Sequence, residues 1–118
     1  MRRLLLELLP KSLQSLITRL LLLVVAFLFL TPIQAETKLF FGADKIAHLL
    51  IFFLITSWSC IVYSRKKIRQ FAFLLVFYGL ILEVMQMSLI PGRNFEWMDW
   101  FSDISGILLG LFTFSKRL

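Results

Sequence analysis

Phe71 to Ile90 reads FAFLLVFYGLILEVMQMSLI, twenty residues with a single formal charge, Glu83. At about 1.5 Å of rise per residue a helix of this length spans about 30 Å, the hydrocarbon thickness of a bilayer. The run is apolar on most faces and never alternates strictly, so it reads as a spanning helix rather than a barrel strand. Working outward, three more segments of the same character appear, from about Leu16 to Ile33, Ile46 to Tyr63 and Met98 to Phe114. The expected fold class is all-α, an integral membrane bundle of four transmembrane helices.

Composition supports that class. Of 118 residues 59% are hydrophobic and 17% charged, with a mean hydropathy of +0.86. A soluble domain usually carries about 45–50% apolar and about 25% charged residues. The apolar fraction also excludes disorder, and the single cysteine, Cys60, excludes a disulfide scaffold. Four crossings occupy about 80 residues. The expected organisation is a basic segment at 1–15, a four-helix transmembrane domain at 16–114 and a basic tail at 115–118. No internal repeat is visible.

The charges sort by side when the connections alternate across the membrane. One side holds Arg2, Arg3, Lys11, Arg19, the run Arg65, Lys66, Lys67 and Arg69 between helices two and three, and Lys116 and Arg117, against Glu7 alone. The other holds Lys38, Lys45 and Arg93 against Glu36, Asp44, Glu83, Glu96, Asp99 and Asp103. By the positive-inside rule both termini are expected to be cytoplasmic, in a multi-pass protein of the cell inner (cytoplasmic) membrane. A solvated Lys/Arg face accounts for the net charge of +6, so no nucleic-acid partner is implied. Arg2 to Ala35 also has the layout of a signal peptide, with a cleavage-like TPIQA ahead of Glu36. Retention as a first helix is the preferred reading, and cleavage would leave the other three helices with the same orientation.

Polar residues at membrane depth are functional candidates, because an ionisable group there costs several kcal/mol unless it faces a protected interior. With helix two starting at Asp44, His48 lies about 6 Å below the surface. With helix three leaving at Ile90, Gln86 lies about 6 Å and Glu83 about 10 Å down. With helix four starting at Asp99, Asp103 lies about 6 Å down. His48, Gln86 and Asp103 are therefore expected in one layer with Glu83 just beneath.

Helical spacing gives the same grouping. Asp44 and His48 are i,i+4, as are Gly79 and Glu83; Gln86 follows Glu83 by three; Asp99, Asp103, Gly106 and Gly110 follow one another by four, three and four. Each helix thus presents one polar or small stripe, and the stripes satisfy themselves by facing each other in an outward-opening pocket of helices two, three and four. Gly79, Gly106 and Gly110 are expected to let helices approach closely.

These blocks together carry a family resemblance. Asp44-Lys45-x-x-His48 with Phe52 and Phe53, Gly79-x-x-x-Glu83-x-x-Gln86, Pro91-Gly92-Arg93 and Asp99-x-x-x-Asp103-x-x-Gly106-x-x-x-Gly110 resemble the signature of VanZ-like membrane proteins across 44–111. Asp103 departs from that pattern, which more often has Asn there. The resemblance implies a small membrane protein of the cell envelope and a link to low-level resistance against teicoplanin-type glycopeptides, with no mechanism attached.

Three classes of function can use the cluster. As a catalytic site, His48, Glu83 and Asp103 supply acid–base chemistry, with Gln86 orienting and Arg93 holding an anionic head group. As a binding site, Asp44, Lys45, Gln86, Arg93 and Asp99 recognise a membrane lipid or lipid-linked envelope precursor. As a structural core, the polar groups satisfy one another and fix helix register. Crowding of carboxylates suggests a proton shared between Glu83 and Asp103, or an imidazolium at His48 held by Asp44. No metal is assigned: Met85, Met87 and Met98 have no paired Cys or second His beside them, although the oxygen-rich set Asp44, Glu83, Asp99 and Asp103 suits a hard dication. No cofactor is named by the sequence, and assembly into a homo-oligomer stays open. Trp58, Trp97 and Trp100 are expected as interfacial anchors and Cys60 as a reduced packing residue.

Overall fold

The computed structural model describes residues 8–31 and 43–114. The signal-peptide junction, Glu36, Lys38, the first seven residues and the tail from 115 lie outside them. The described residues form four helices and no strand: α1 (Lys11–Leu30), α2 (Ala43–Val62), α3 (Arg65–Leu89) and α4 (Trp97–Phe114). Three stretches are long and apolar enough to cross a membrane, Lys11–Leu30, Asp44–Val62 and Arg65–Leu89. The chain is all-helical and built as a multi-pass membrane protein.

Each helix starts or stops for a local reason. Thr31 is extended (φ −85°, ψ 143°) because it precedes Pro32, which disfavours the helical conformation before it, so α1 ends at Leu30 rather than Ile33. The α3 start is six residues earlier than expected. Ser64 caps it by accepting the Lys67 backbone N–H at 3.4 Å, and Arg65, Lys66, Lys67 and Arg69 lie in its opening turns rather than in a loop. Long cationic stems tolerate that place, since they form helix well and carry the charge back toward water. Between α3 and α4, Pro91 and Gly92 turn the chain, with the Arg93 N–H donating to the Ile90 carbonyl at 3.3 Å and Gly92 at φ +78°. Positive φ at this position needs a residue without a Cβ.

The helices run up, down, up, down. Phe29 of α1 meets His48 of α2 while Thr18 meets Trp58, so α1 and α2 are antiparallel. On α3, Val76 accepts from Trp100 of α4 and Glu83 meets Glu96, so these two are antiparallel as well. α2 and α4 are therefore parallel, and they make the tightest seam. A Cβ at Gly106 would lie 2.3 Å from the Leu49 carbonyl oxygen, and one at Gly110 would lie 2.8 Å from the Thr56 Cβ. The expected role of these glycines is what the seam uses. Val25, Phe29, Phe52, Ile55, Ala72, Leu75, Leu82 and Ile107 fill the centre, while Leu23, Phe27, Leu54, Phe73, Leu108 and Phe112 are exposed around it, as lipid-facing side chains would be.

Two of the tryptophans also bond neighbouring helices. Trp58 Nε1 donates to Thr18 Oγ1 at 3.0 Å and Trp100 Nε1 to the Val76 carbonyl at 3.0 Å, so both tie helices together. Trp97 alone of the three is exposed. Cys60 is free and buried, as a packing residue should be.

Candidate functional site

The alternating directions bring the C-terminal ends of α1 and α3 beside the N-terminal ends of α2 and α4. At that end His48, Glu83, Gln86, Asp99 and Asp103 come together, each 0–1% exposed. The i,i+4 and i,i+3 stripes do face one another. His48 Nδ1 lies 2.7 Å from Asp103 Oδ1, an imidazole N–H donating to a carboxylate across the α2–α4 seam. The other nitrogen, Nε2, points toward Asp99 Oδ2 at 4.0 Å.

Glu83 sits in this layer rather than beneath it. The connection after α3 folds inward, burying Ile90 and bringing the Glu96 N–H onto Glu83 Oε1 at 3.3 Å. Donor atoms of His48, Glu83 and Asp99 consequently lie within 4.8 Å of one another. The pairings suggested by the sequence are revised accordingly. Asp103 bonds His48 instead of sharing a proton with Glu83, and the carboxylate that holds His48 is Asp103, where Asp44 was expected.

The rim is a charged lattice around Lys45. Its Nζ contacts Glu96 at 2.8 Å, Asp99 at 3.1 Å and Asp44 at 3.3 Å, so one ammonium links the start of α2 to the start of α4. Arg93 reaches Asp99 from the turn at 3.2 Å. The Lys45 ammonium hydrogen-bonded to Glu96 holds that carboxyl below the ordinary glutamate range. Lys45 and Glu96 are the partly open members, with side chains 30% and 41% exposed. The cluster is thus closed by its rim rather than open as a pocket.

Two members were not visible in the sequence. Phe29 of α1 stacks on the His48 ring with centroids 4.1 Å apart, and its carbonyl accepts from the Gln86 amide. The site therefore has four walls, with α1 added to the expected α2, α3 and α4. Glu96 was counted as an outer charge only, and its three-residue spacing from Asp99 was the available signal.

Five buried atoms at this end make no hydrogen bond among the described residues: His48 Nε2, Glu83 Oε2, Gln86 Oε1, Arg93 Nε and Asp103 Oδ2. Native interiors leave few such groups without a protein, water or ion partner, so these atoms are the ones free to take one. Two carboxylate-containing groups have metal-ligand spacing, His48 with Glu83 and Asp99, and Asp44 with Glu96 and Asp99. Lys45 Nζ already contacts all three members of the second.

No family model, curated protein or solved structure matches the chain. The functional reading is built from these residues.

Proposed function

We propose that the chain is a VanZ-like protein of the cytoplasmic membrane with four spans and both termini cytoplasmic, whose polar end faces outward and engages an envelope lipid or lipid-linked precursor. α4 supplies the fourth span, about 27 Å over its 18 residues. The orientation follows from the charge: the basic run at the start of α3 lies at the end opposite His48 and Asp103. Arg93 and Lys45 are placed to hold an anionic head group, displacing Asp99 or Glu96 as they do so. Glu83 and His48, with Asp103 behind, would then act as acid or base on the bound molecule, and Gln86 would orient it. The resemblance to VanZ-like proteins extends the proposal to glycopeptide susceptibility of the teicoplanin type.

The observation behind the proposal is the convergence of five buried polar side chains, His48, Glu83, Gln86, Asp99 and Asp103, at one end beside Lys45 and Arg93. The alternative is a non-catalytic membrane binding or scaffold protein whose polar cluster is a structural core. The His48–Asp103 bond and the Gln86–Phe29 contact are the part such a scaffold would share.

The test is mass spectrometry of envelope lipids and lipid-linked precursors in a strain lacking the gene, complemented with the parent or Glu83→Gln at matched membrane abundance. A species that accumulates in the deletion, is cleared by the parent and persists with Glu83→Gln identifies an enzyme and its substrate class. If no species changes while the variant is made normally, catalysis on these molecules is refuted.

A further inference from the structure

We propose that His48 Nε2, Glu83 and Asp99 form a binding site for a first-row divalent metal ion, Zn2+ or Mn2+, with Asp103 as the residue that positions the histidine. The ligand atoms come from three different helices, and one from each residue lies within 4.8 Å of the others. All three side chains are at least 99% buried. His48 Nε2 and Glu83 Oε2 make no hydrogen bond among the described residues, so neither is committed to a protein partner.

The histidine is arranged as a metal ligand is. Its Nδ1–H donates to Asp103 at 2.7 Å, so Nε2, which faces Asp99, is the nitrogen left for a metal ion, taken up in its deprotonated form. A carboxylate behind a ligating imidazole is the usual outer-shell partner, orienting the ring and raising its basicity. Phe29, stacked on the ring at 4.1 Å, holds its plane from the α1 side.

Charge points the same way. Among the described residues, Asp44, Glu83, Glu96, Asp99 and Asp103 have Lys45 and Arg93 as the Lys/Arg cations at this end of the bundle. A dication would offset much of the excess. Asp99 accepts from Lys45 on one oxygen and from Arg93 on the other, and each oxygen keeps a lone pair beyond that contact. An imidazole with two carboxylates suits Zn2+ or Mn2+ better than soft Cu(I), which prefers sulfur, or Ca2+, which prefers oxygen alone. His48 Nε2 and Asp99 Oδ2 are 4.0 Å apart, so bonds of about 2.0–2.2 Å require them to close by less than about 1 Å.

This inference does not depend on the lipid proposal, since an ion here could hold the end of the bundle together or polarise a ligand oxygen. The test uses the full chain in detergent, stripped with chelator and dialysed to equilibrium against Zn2+ or Mn2+, with metal counted by mass spectrometry. One ion per chain is expected for the parent with at least one of the two metals. His48→Gln and Glu83→Gln should each weaken uptake by at least about 100-fold, and Asp103→Asn by about 10–100-fold. X-ray absorption of the loaded parent should show imidazole scattering. No uptake of either ion by the parent overturns the proposal. So does uptake that folded His48→Gln and Glu83→Gln leave unchanged, or a loaded site without imidazole. Where His48→Gln and Glu83→Gln do not fold, Asp103→Asn decides, because it keeps the side-chain shape; unchanged affinity in it overturns the proposal.

Discussion

Gly106→Ala tests the seam that sets the spacing of the whole polar end. The new Cβ would lie 2.3 Å from the Leu49 carbonyl oxygen and 3.0 Å from the Phe53 nitrogen. Both are backbone atoms of α2, so no rotamer change removes the clash. Restoring ordinary contact moves α2 and α4 apart by about 1 Å. Overpacking costs about 1–3 kcal/mol, and a clash with unyielding backbone belongs at the upper end, about 3 kcal/mol. Gly79→Ala is the internal control. Its Cβ would meet Asp103 Oδ2 at 2.8 Å and Cβ at 3.3 Å, side-chain rather than backbone atoms, but easing the contact strains the Asp103–His48 bond, so its cost should be about 2 kcal/mol, below that of Gly106→Ala. The assay is equilibrium unfolding of the three proteins in the same detergent. A Gly106→Ala protein within about 0.5 kcal/mol of the parent, or a Gly79→Ala protein that is the less stable of the two, would refute the assignment of α2–α4 as the rigid seam.

Three further outcomes are expected. Trp58→Phe should lose about 1 kcal/mol through its missing N–H to Thr18, and adding Thr18→Val should cost less than the sum of the singles in the same unfolding assay. Lys45→Met leaves Asp99 and Glu96 without their shared ammonium and should destabilise by about 3 kcal/mol, read as a fall in thermal midpoint; an unchanged midpoint would mean the rim lattice carries no stability. A periplasm-dependent reporter joined after Arg93 should be active and one joined after Lys67 inactive, and the reverse pattern would turn the polar end toward the cytoplasm.

Helix number, helix order and most of the site were legible because they depend on periodicity and length. Rise per residue set His48, Gln86 and Asp103 at one depth, and the i,i+4 stripes of α2, α3 and α4 do meet. Phe29 escaped because its contribution has no pattern: a ring face and a backbone carbonyl look the same in any apolar run. Glu83 was placed too deep because depth was counted along the helix axis, whereas the inward fold after Pro91 brings the Glu96 N–H to its carboxylate. The ties that Trp58 and Trp100 make between helices were missed for a similar reason. An indole near a helix end can serve the interface or a neighbouring helix, and only the position of Thr18 or of the Val76 carbonyl decides which. Pairing among the carboxylates was not readable, since spacing along one helix says nothing of the offset between two.

That offset is set by the glycines, which ties stability to the site. Leu49, whose carbonyl faces Gly106, follows His48 directly, and Asp103 precedes Gly106 by three residues on the same face of α4. Helix approach and the His48–Asp103 distance are therefore one geometric quantity. Helices held about 1 Å further apart would stretch the 2.7 Å contact beyond hydrogen-bond range. Stability alone would not select this arrangement, because exchanging buried ion pairs for well-packed apolar groups is often neutral or favourable. The close seam instead keeps a costly set of charges in register at one end, and so the bundle supports the polar cluster more than the cluster supports the bundle.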